Sequence, residues 1–286
     1  MDNLINISPI DGRYNNICKK LSKYFSEYGL IRYRVYVEIK YFIELSKTIP
    51  ELNFKENNIE IKLLELFNNF NLEEANKIKK IEQNINHDVK AIEYYLKDKF
   101  TEIGLEKYKE FIHFGLTSQD INNTSIPISL NDSLKSIFFP IYNKLNDNIY
   151  NISKKWIKIP MLSKTHGQPA SPTYLGKEFM VFYERLSNEI NNLYSVKLYG
   201  KFGGAIGNFN SLYISYPNID WIKFSNDFLN NLGLKRNQYT KQIDHYDSLC
   251  NLFDNIRRIN NILIDLNKDI WLYISNDYFK LKINDN

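Results

Sequence analysis

Cysteine is nearly absent from this chain: only Cys18 and Cys250 occur, far apart and without metal-type spacing. A disulfide-built scaffold is thereby excluded, and a reducing compartment, the cytoplasm, is the expected location. Glycine (11) and proline (8) are scarce and few stretches alternate apolar with polar residues, which argues against a sandwich or barrel and for helices. No apolar run of about 18 residues occurs, and Met1-Asp2-Asn3-Leu4-Ile5-Asn6 has neither a basic start nor a long apolar stretch, so membrane insertion and secretion are unsupported. A strong charge of one sign is also missing: Lys plus Arg number 37 against 33 Asp plus Glu. Lys77, Lys79 and Lys80 alternate with Ile78 and Ile81 as on a solvated helix face, so no nucleic-acid partner is indicated. The phosphate-loop, zincin and nucleophile-elbow motifs are absent, and Gly203, Gly204 and Gly207 follow a helix and miss the dinucleotide fingerprint. No metal and no cofactor are called for, and the glycines read as a tight helix-to-helix crossing.

What is present is enough apolar sequence, 43% of 286 residues, to bury a sizeable core. Tyr (21) and Phe (18) belong to a general abundance of Asn, Ile, Lys, Tyr and Phe that reads as coding bias, so no single aromatic carries a functional signal. From Lys19 to Ser46, Leu21, Tyr24, Phe25, Tyr28, Ile31 and Tyr33 recur at three- and four-residue spacing, as an amphipathic helix requires. Thr48-Ile49-Pro50 ends it. Further helices are expected over Ile59 to Phe67, over Leu72 to Tyr95 behind an Asn71 N-cap, and from Thr117 towards Trp156, divided or kinked at Pro127 and Pro140. Pro160, Gly167, Pro169 and Pro172 mark a loop; helices resume over Tyr174 to Leu198, Ile219 to Leu232 and Tyr246 to Tyr278. The expected class is all-α: a helical N-terminal domain, residues 1–110, followed by a long-helix bundle, residues 111–286.

Of the four histidines, two sit in unusual surroundings. His166 lies in Ser163-Lys164-Thr165-His166-Gly167-Gln168-Pro169-Ala170, a polar loop where an imidazole can be exposed and exchange protons. From spacing alone, a surface histidine without a role is the commoner reading. His87 lies in Asn86-His87-Asp88, where flanking polar groups can fix its tautomer; from the tripeptide alone, an ordinary helix start with Asp88 in the first turn is the preferred reading. Thr117-Ser118-Gln119-Asp120 has the form of a capping box, and free N–H groups at such a start favour a carboxylate or phosphate; a cap serving only its own helix fits Thr117 as well.

Taken in order, five segments resemble those of the adenylosuccinate lyases of the fumarase/aspartase superfamily, particularly the bacterial type. They are Ser8-Pro9-Ile10-Asp11-Gly12-Arg13-Tyr14, Asn86-His87-Asp88-Val89-Lys90, Thr117-Ser118-Gln119-Asp120-Ile121-Asn122-Asn123, Thr165-His166-Gly167-Gln168-Pro169-Ala170 and Gly204-Ala205-Ile206-Gly207-Asn208. The resemblance implies cofactor-free β-elimination of fumarate from adenylosuccinate, leaving AMP, and from the succinyl-carboxamide ribotide. It implies a homotetramer with shared active sites. It makes His166 the general acid, its solution pKa of about 6.5 lying near the working pH. Arg13 and Tyr14 would hold the nucleotide, Thr117 and Ser118 the succinyl carboxylates; Asn86, His87 and Asp88 would line the same site, and Gln242 of Tyr239-Thr240-Lys241-Gln242-Ile243 would touch substrate. After Gln242 the wording departs, Asp244-His245-Tyr246-Asp247 standing where the family has P-H-D, and His245 receives no role.

The family's S-S-x-M-P-x-K-x-N loop, which carries the serine base, has no counterpart in residues 1–286. The expectation is therefore an incomplete bundle, lacking half of the proton machinery, inactive alone and with apolar helix faces that lower solubility or alter assembly. Two other readings remain at this stage: a different lyase of the superfamily, such as argininosuccinate lyase, or a non-catalytic helical remnant or interaction protein.

Overall fold

The structure, a computed structural model, describes residues 5–52 and 58–283. In chain order its helices and strands are α1 (Asn15–Cys18), α2 (Ser22–Phe25), α3 (Glu27–Thr48), α4 (Ile59–Asn68), α5 (Leu72–Ile85), α6 (Asp88–Glu102), α7 (Ser118–Ser133), α8 (Phe139–Lys155), β1 (Pro160–Thr165), β2 (Gln168–Tyr174), α9 (Leu175–Ser195), β3 (Tyr199–Gly200), α10 (Asn210–Ser215), α11 (Trp221–Asn231), β4 (Lys235–Arg236) and α12 (Asp247–Ser275). The chain is all-α apart from two short strand pairs. Residues 284–286 of the final stretch lie outside the described residues.

Two compact units interleave along the chain, one of residues 1–137 and 197–245, the other of 138–196 and 246–286. The limit at residue 110 suggested by the sequence is not one of their borders, because α7 packs on α3 and its first turns bind the segments of residues 197–245.

In the first unit α3 is the centre. Ser26 caps it, its Oγ accepting from the Gly29 N–H at 3.1 Å, and its extended backbone separates α3 from α2. The continuous helix expected from Lys19 is therefore broken where a serine satisfies the free amides. Ile31, Tyr33, Val35, Val37, Ile39, Tyr41, Phe42 and Leu45 are all buried, so α3 is enclosed nearly all round by its neighbours. Arg34 and Glu38 are buried within that same run and so require partners. Trp221 of α11 is fully enclosed, and truncating a side chain of that size costs about 3–5 kcal/mol.

Asn71 caps α5 as expected, its Oδ1 accepting from Glu73 and Glu74 N–H. The helix does not run to Tyr95: Asn86 adopts a left-handed φ of 54°, ending α5, and His87 caps α6. Pro127 is carried inside α7, and Pro140 stands in the first turn of α8 beyond a π-helical turn, Leu134–Phe138. The long stretch is thus divided near Pro140 and unbroken at Pro127.

The second unit packs α8 on α9 and α9 on α12. Tyr142 Oη donates to the Leu186 carbonyl at 2.8 Å, and the ion pairs Arg185–Asp265 and Arg258–Glu189 join α9 to α12. The proline-marked loop is a correction: Pro160–Thr165 and Gln168–Tyr174 form an antiparallel hairpin with Thr165 opposite Gln168. In a two-stranded ribbon both strands are edges, and a proline whose missing N–H would face away from the partner costs no ladder bond, so Pro160, Pro169 and Pro172 do not forbid the hairpin. Lys164 and Leu162 tie the hairpin to Asn276 and Tyr278 beyond α12.

Candidate functional site

The first two turns of α7 are the point where the site is built. Thr117 and Asp120 close the expected capping box: the Asp120 carboxylate accepts from Thr117 N–H at 2.8 Å. It also accepts from Lys201 Nζ at 2.7 Å and from the amides of Gly203 at 2.9 Å and Gly204 at 3.1 Å. The glycines are therefore not a helix crossing; they leave room for amides to reach a buried carboxylate. Gly207, at φ 84°, lies so close to the Thr240 carbonyl that a Cβ would overlap it, and so holds the Thr240-Lys241-Gln242 segment against the same loop.

Asn122 and Asn123 extend the junction. Asn123 Oδ1 accepts the Asp244 N–H at 2.8 Å, fixing the chain two residues after Gln242. Asn122 Oδ1 accepts from Arg34 Nε at 2.8 Å, and the other end of the same guanidinium pairs with Asp88 at 2.7 Å. Burial works against ionisation of Asp88, but the Arg34 guanidinium and the Val89 N–H outweigh it and hold its carboxyl below the usual carboxylate range. Arg34, buried in α3, thus joins the Asn86-His87-Asp88 corner to α7.

His87 itself is half exposed, and its Nδ1 accepts the Lys90 N–H at 3.1 Å. The plainer reading of this histidine, a helix start with Asp88 in the first turn, describes its contacts. Ser118 is half-buried in the first turn of α7, and Gln242 is exposed. Arg13 stacks over the Tyr14 ring at 5.6 Å, and both are exposed.

His166 belongs to the second unit. It forms, with Gly167, the two-residue connection of the hairpin, both with positive φ (52° and 75°), a geometry that matches the twist of the strands. The imidazole is exposed at a hairpin tip. A non-glycine residue held in this region is uncommon and signals local constraint.

Several residues of this site carry no motif signal of their own. Arg34, Lys201 and the buried pair of His113 with Glu38 are the chief ones. His113 Nδ1 donates to Glu38 Oε1 at 2.5 Å, its backbone held at φ 59°, and Tyr41 Oη donates to the neighbouring Phe114 carbonyl at 2.6 Å. Burial opposes charge on this imidazole; Glu38, supported by Glu93 and Asp120, overrides it and raises the pKa above the ordinary value. The available hint was Arg34 and Glu38 set among the apolar residues of α3, where a charge signals a buried partner.

The helical architecture has known counterparts. A fumarate lyase from Mesorhizobium superposes with TM-score 0.74 at 17% identity, over 90% of this chain and 57% of that one. A β-carboxy-cis,cis-muconate cycloisomerase from Acinetobacter calcoaceticus gives 0.71 at 18% identity, over 90% and 57%. The fold is the one these enzymes share. A lyase family profile matches residues 12–286, and the chain belongs to that family. It is 52% identical to an adenylosuccinate lyase of Dictyostelium discoideum over 99% of its length and 63% of the relative's. The corresponding figures are 46%, 96% and 61% for that of Legionella pneumophila (strain Corby), and 41%, 99% and 62% for that of Escherichia coli K12. The chain thus spans about three fifths of the length of these relatives.

Proposed function

We propose that the chain supplies the substrate-binding part and the general acid of an adenylosuccinate lyase, acting on adenylosuccinate to give AMP and fumarate and on the analogous succinyl-carboxamide ribotide. The observation that carries this reading is the junction at α7: Asp120, Asn122 and Asn123 draw three segments onto one helix start. Two of them, Asn86-His87-Asp88 and the Gly204-to-Asn208 loop, bear the resemblance, and the third holds Gln242. A shared junction for residues so far apart in sequence fits a binding site.

In the elimination, a base takes the proton from the carbon beside a succinyl carboxylate, negative charge moves onto that carboxylate, the C–N bond breaks, and an acid delivers a proton to the leaving nitrogen. Thr117 and Ser118, at the start of α7, would meet the carboxylates with their hydroxyls, the Ser118 amide and the positive end of the helix dipole, the Thr117 amide being held by Asp120. Asn86, His87, Asp88, Gln242, Arg13 and Tyr14 would bind the remainder of the substrate, and an exposed His166 on its hairpin would carry the proton to nitrogen. The reading includes a homotetramer that assembles shared sites, a cytoplasmic location, and a serine base carried on a segment with no counterpart in residues 1–286. Among the described residues no helix is long and apolar enough to cross a membrane.

The test is spectrophotometric turnover of adenylosuccinate by this chain mixed with a separately expressed C-terminal part of a full-length relative. Turnover on mixing is expected, with a loss of about 10²–10⁴-fold for His166→Asn, the usual contribution of a general acid. Turnover indifferent to His166→Asn would remove the histidine from the acid role. No turnover, combined with no measurable adenylosuccinate binding by the chain, would overturn the reading.

A further inference from the structure

Lys201 is the most unusual side chain in the molecule. An ammonium is strongly hydrated, yet the Lys201 and Asp120 side chains are both 0% exposed. Lys201 Nζ reaches Asp120 Oδ1 at 2.7 Å and the Gly204 carbonyl at 2.5 Å. The same carboxylate accepts from the Gly203, Gly204 and Thr117 amides. The Gly204 residue is therefore held twice: its N–H by Asp120 and its carbonyl by Lys201. The loop closes around its own lysine, and its far side seats Gly207 against Thr240, with Phe209 N–H returning to the Gly203 carbonyl at 2.8 Å.

Stability by itself does not call for such a pair. Taking two charges out of water costs about as much as their attraction returns, and a well-packed neutral pair of similar volume often serves the fold equally well. What a neutral pair cannot do is gather three backbone amides and an ammonium on one anionic centre, with the strength and short geometry of charge-assisted bonds. Those amides belong to two different segments: the Thr117–Ser118 turn and the loop of residues 203–208 that backs Thr240.

We propose that Lys201 and Asp120 are a positioning pair: their charge locks the Thr117–Ser118 turn and the Gly203–Asn208 loop into one body, so that the turn and the Thr240-to-Gln242 segment face substrate in a fixed relation. This rests on the reading of the site given above. Neither side chain touches substrate in this scheme. Lys201 acts through Asp120, and Asp120 acts through the backbone it holds.

The test compares the wild-type chain with Lys201→Met and with the charge-free double variant Lys201→Met/Asp120→Asn, which retains the volume of the pair. The single variant leaves a buried charge unpartnered and is expected to lose much of its stability. The double variant is expected to melt close to wild type, yet to show faster hydrogen exchange at the Thr117, Gly203 and Gly204 amides. Its dissociation constant for adenylosuccinate, read by titration calorimetry, should rise about tenfold or more, the equivalent of one lost hydrogen bond to a charged group. A double variant that melts, exchanges and binds like wild type would overturn the proposal, because the pair would then be packing alone. If the wild-type chain binds no adenylosuccinate, the functional reading falls by itself and exchange decides the pair: lost amide protection in the stable double variant supports the lock, and retained protection overturns it.

Discussion

The start of α7 and the tip of the β1–β2 hairpin are built by opposite means. At α7 Asp120 and Asn123 are buried and Asn122 half-buried, and each has a partner from a distant part of the chain. At the hairpin tip His166 is exposed, and its conformation is fixed locally, by a two-residue turn of positive φ. A binding surface must hold several groups in register, which only a satisfied, water-excluded network can do. In the function proposed above the hairpin tip carries a proton, which needs the reverse, open access. The two regions should therefore respond differently to substitution.

The largest effect is expected from Lys201→Met, which strands the Asp120 carboxylate in a fully buried position; a loss of about 3–5 kcal/mol in urea unfolding is predicted, recovered in large part when Asp120→Asn is added. Next is Gly207→Ala. The new Cβ would collide with the Thr240 carbonyl while forcing alanine into a left-handed φ, and about 2–3 kcal/mol should be lost, with Thr240 to Asp244 displaced in exchange measurements. Arg34→Met cuts the link between Asp88 and Asn122. About 2 kcal/mol is expected, the range for hydrogen bonds to a charged donor, since the exposed Asp88 end of the pair adds little by itself.

A pH-graded effect sharpens the comparison further. The His113 pKa is raised by folding, so its pairing with Glu38 contributes fully below the unfolded value of about 6.5 and is lost as pH climbs through the folded value. The stability gap between wild type and Glu38→Gln should be widest near pH 6 and narrow as the solution becomes alkaline; a gap constant with pH would detach the imidazole's charge from the fold. The smallest change belongs to the hairpin. His166→Asn keeps a residue that tolerates the left-handed region at an exposed position, so thermal stability should move by less than about 0.5 kcal/mol while turnover in the assembled enzyme falls. A large stability loss there would erase the contrast between the two regions.

Much of this was legible from residue order because it is local. The caps at Asn71 and Thr117 follow from side chains that reach backbone amides two and three residues on, and three- and four-residue spacing alone placed α4, α9, α11 and α12 within a few residues. The hairpin was hidden because proline reads as a breaker, and only the edge position of both strands makes it harmless. The end of α5 was hidden because Asn86 closes a helix by adopting a left-handed conformation that asparagine only sometimes takes.

By itself, then, the sequence determined most of the helices, the caps at Asn71 and Thr117, the all-α class and the motifs that carry the family. Tertiary structure alone decided that Arg34 serves both Asp88 and Asn122, that Lys201 and Asp120 close on each other across 81 residues of chain, and that Glu38 pairs with His113. The physical reason is that a charge in a helix shows only that it needs a partner. Which partner it finds is set by where folding excludes water, and no spacing along the chain records that.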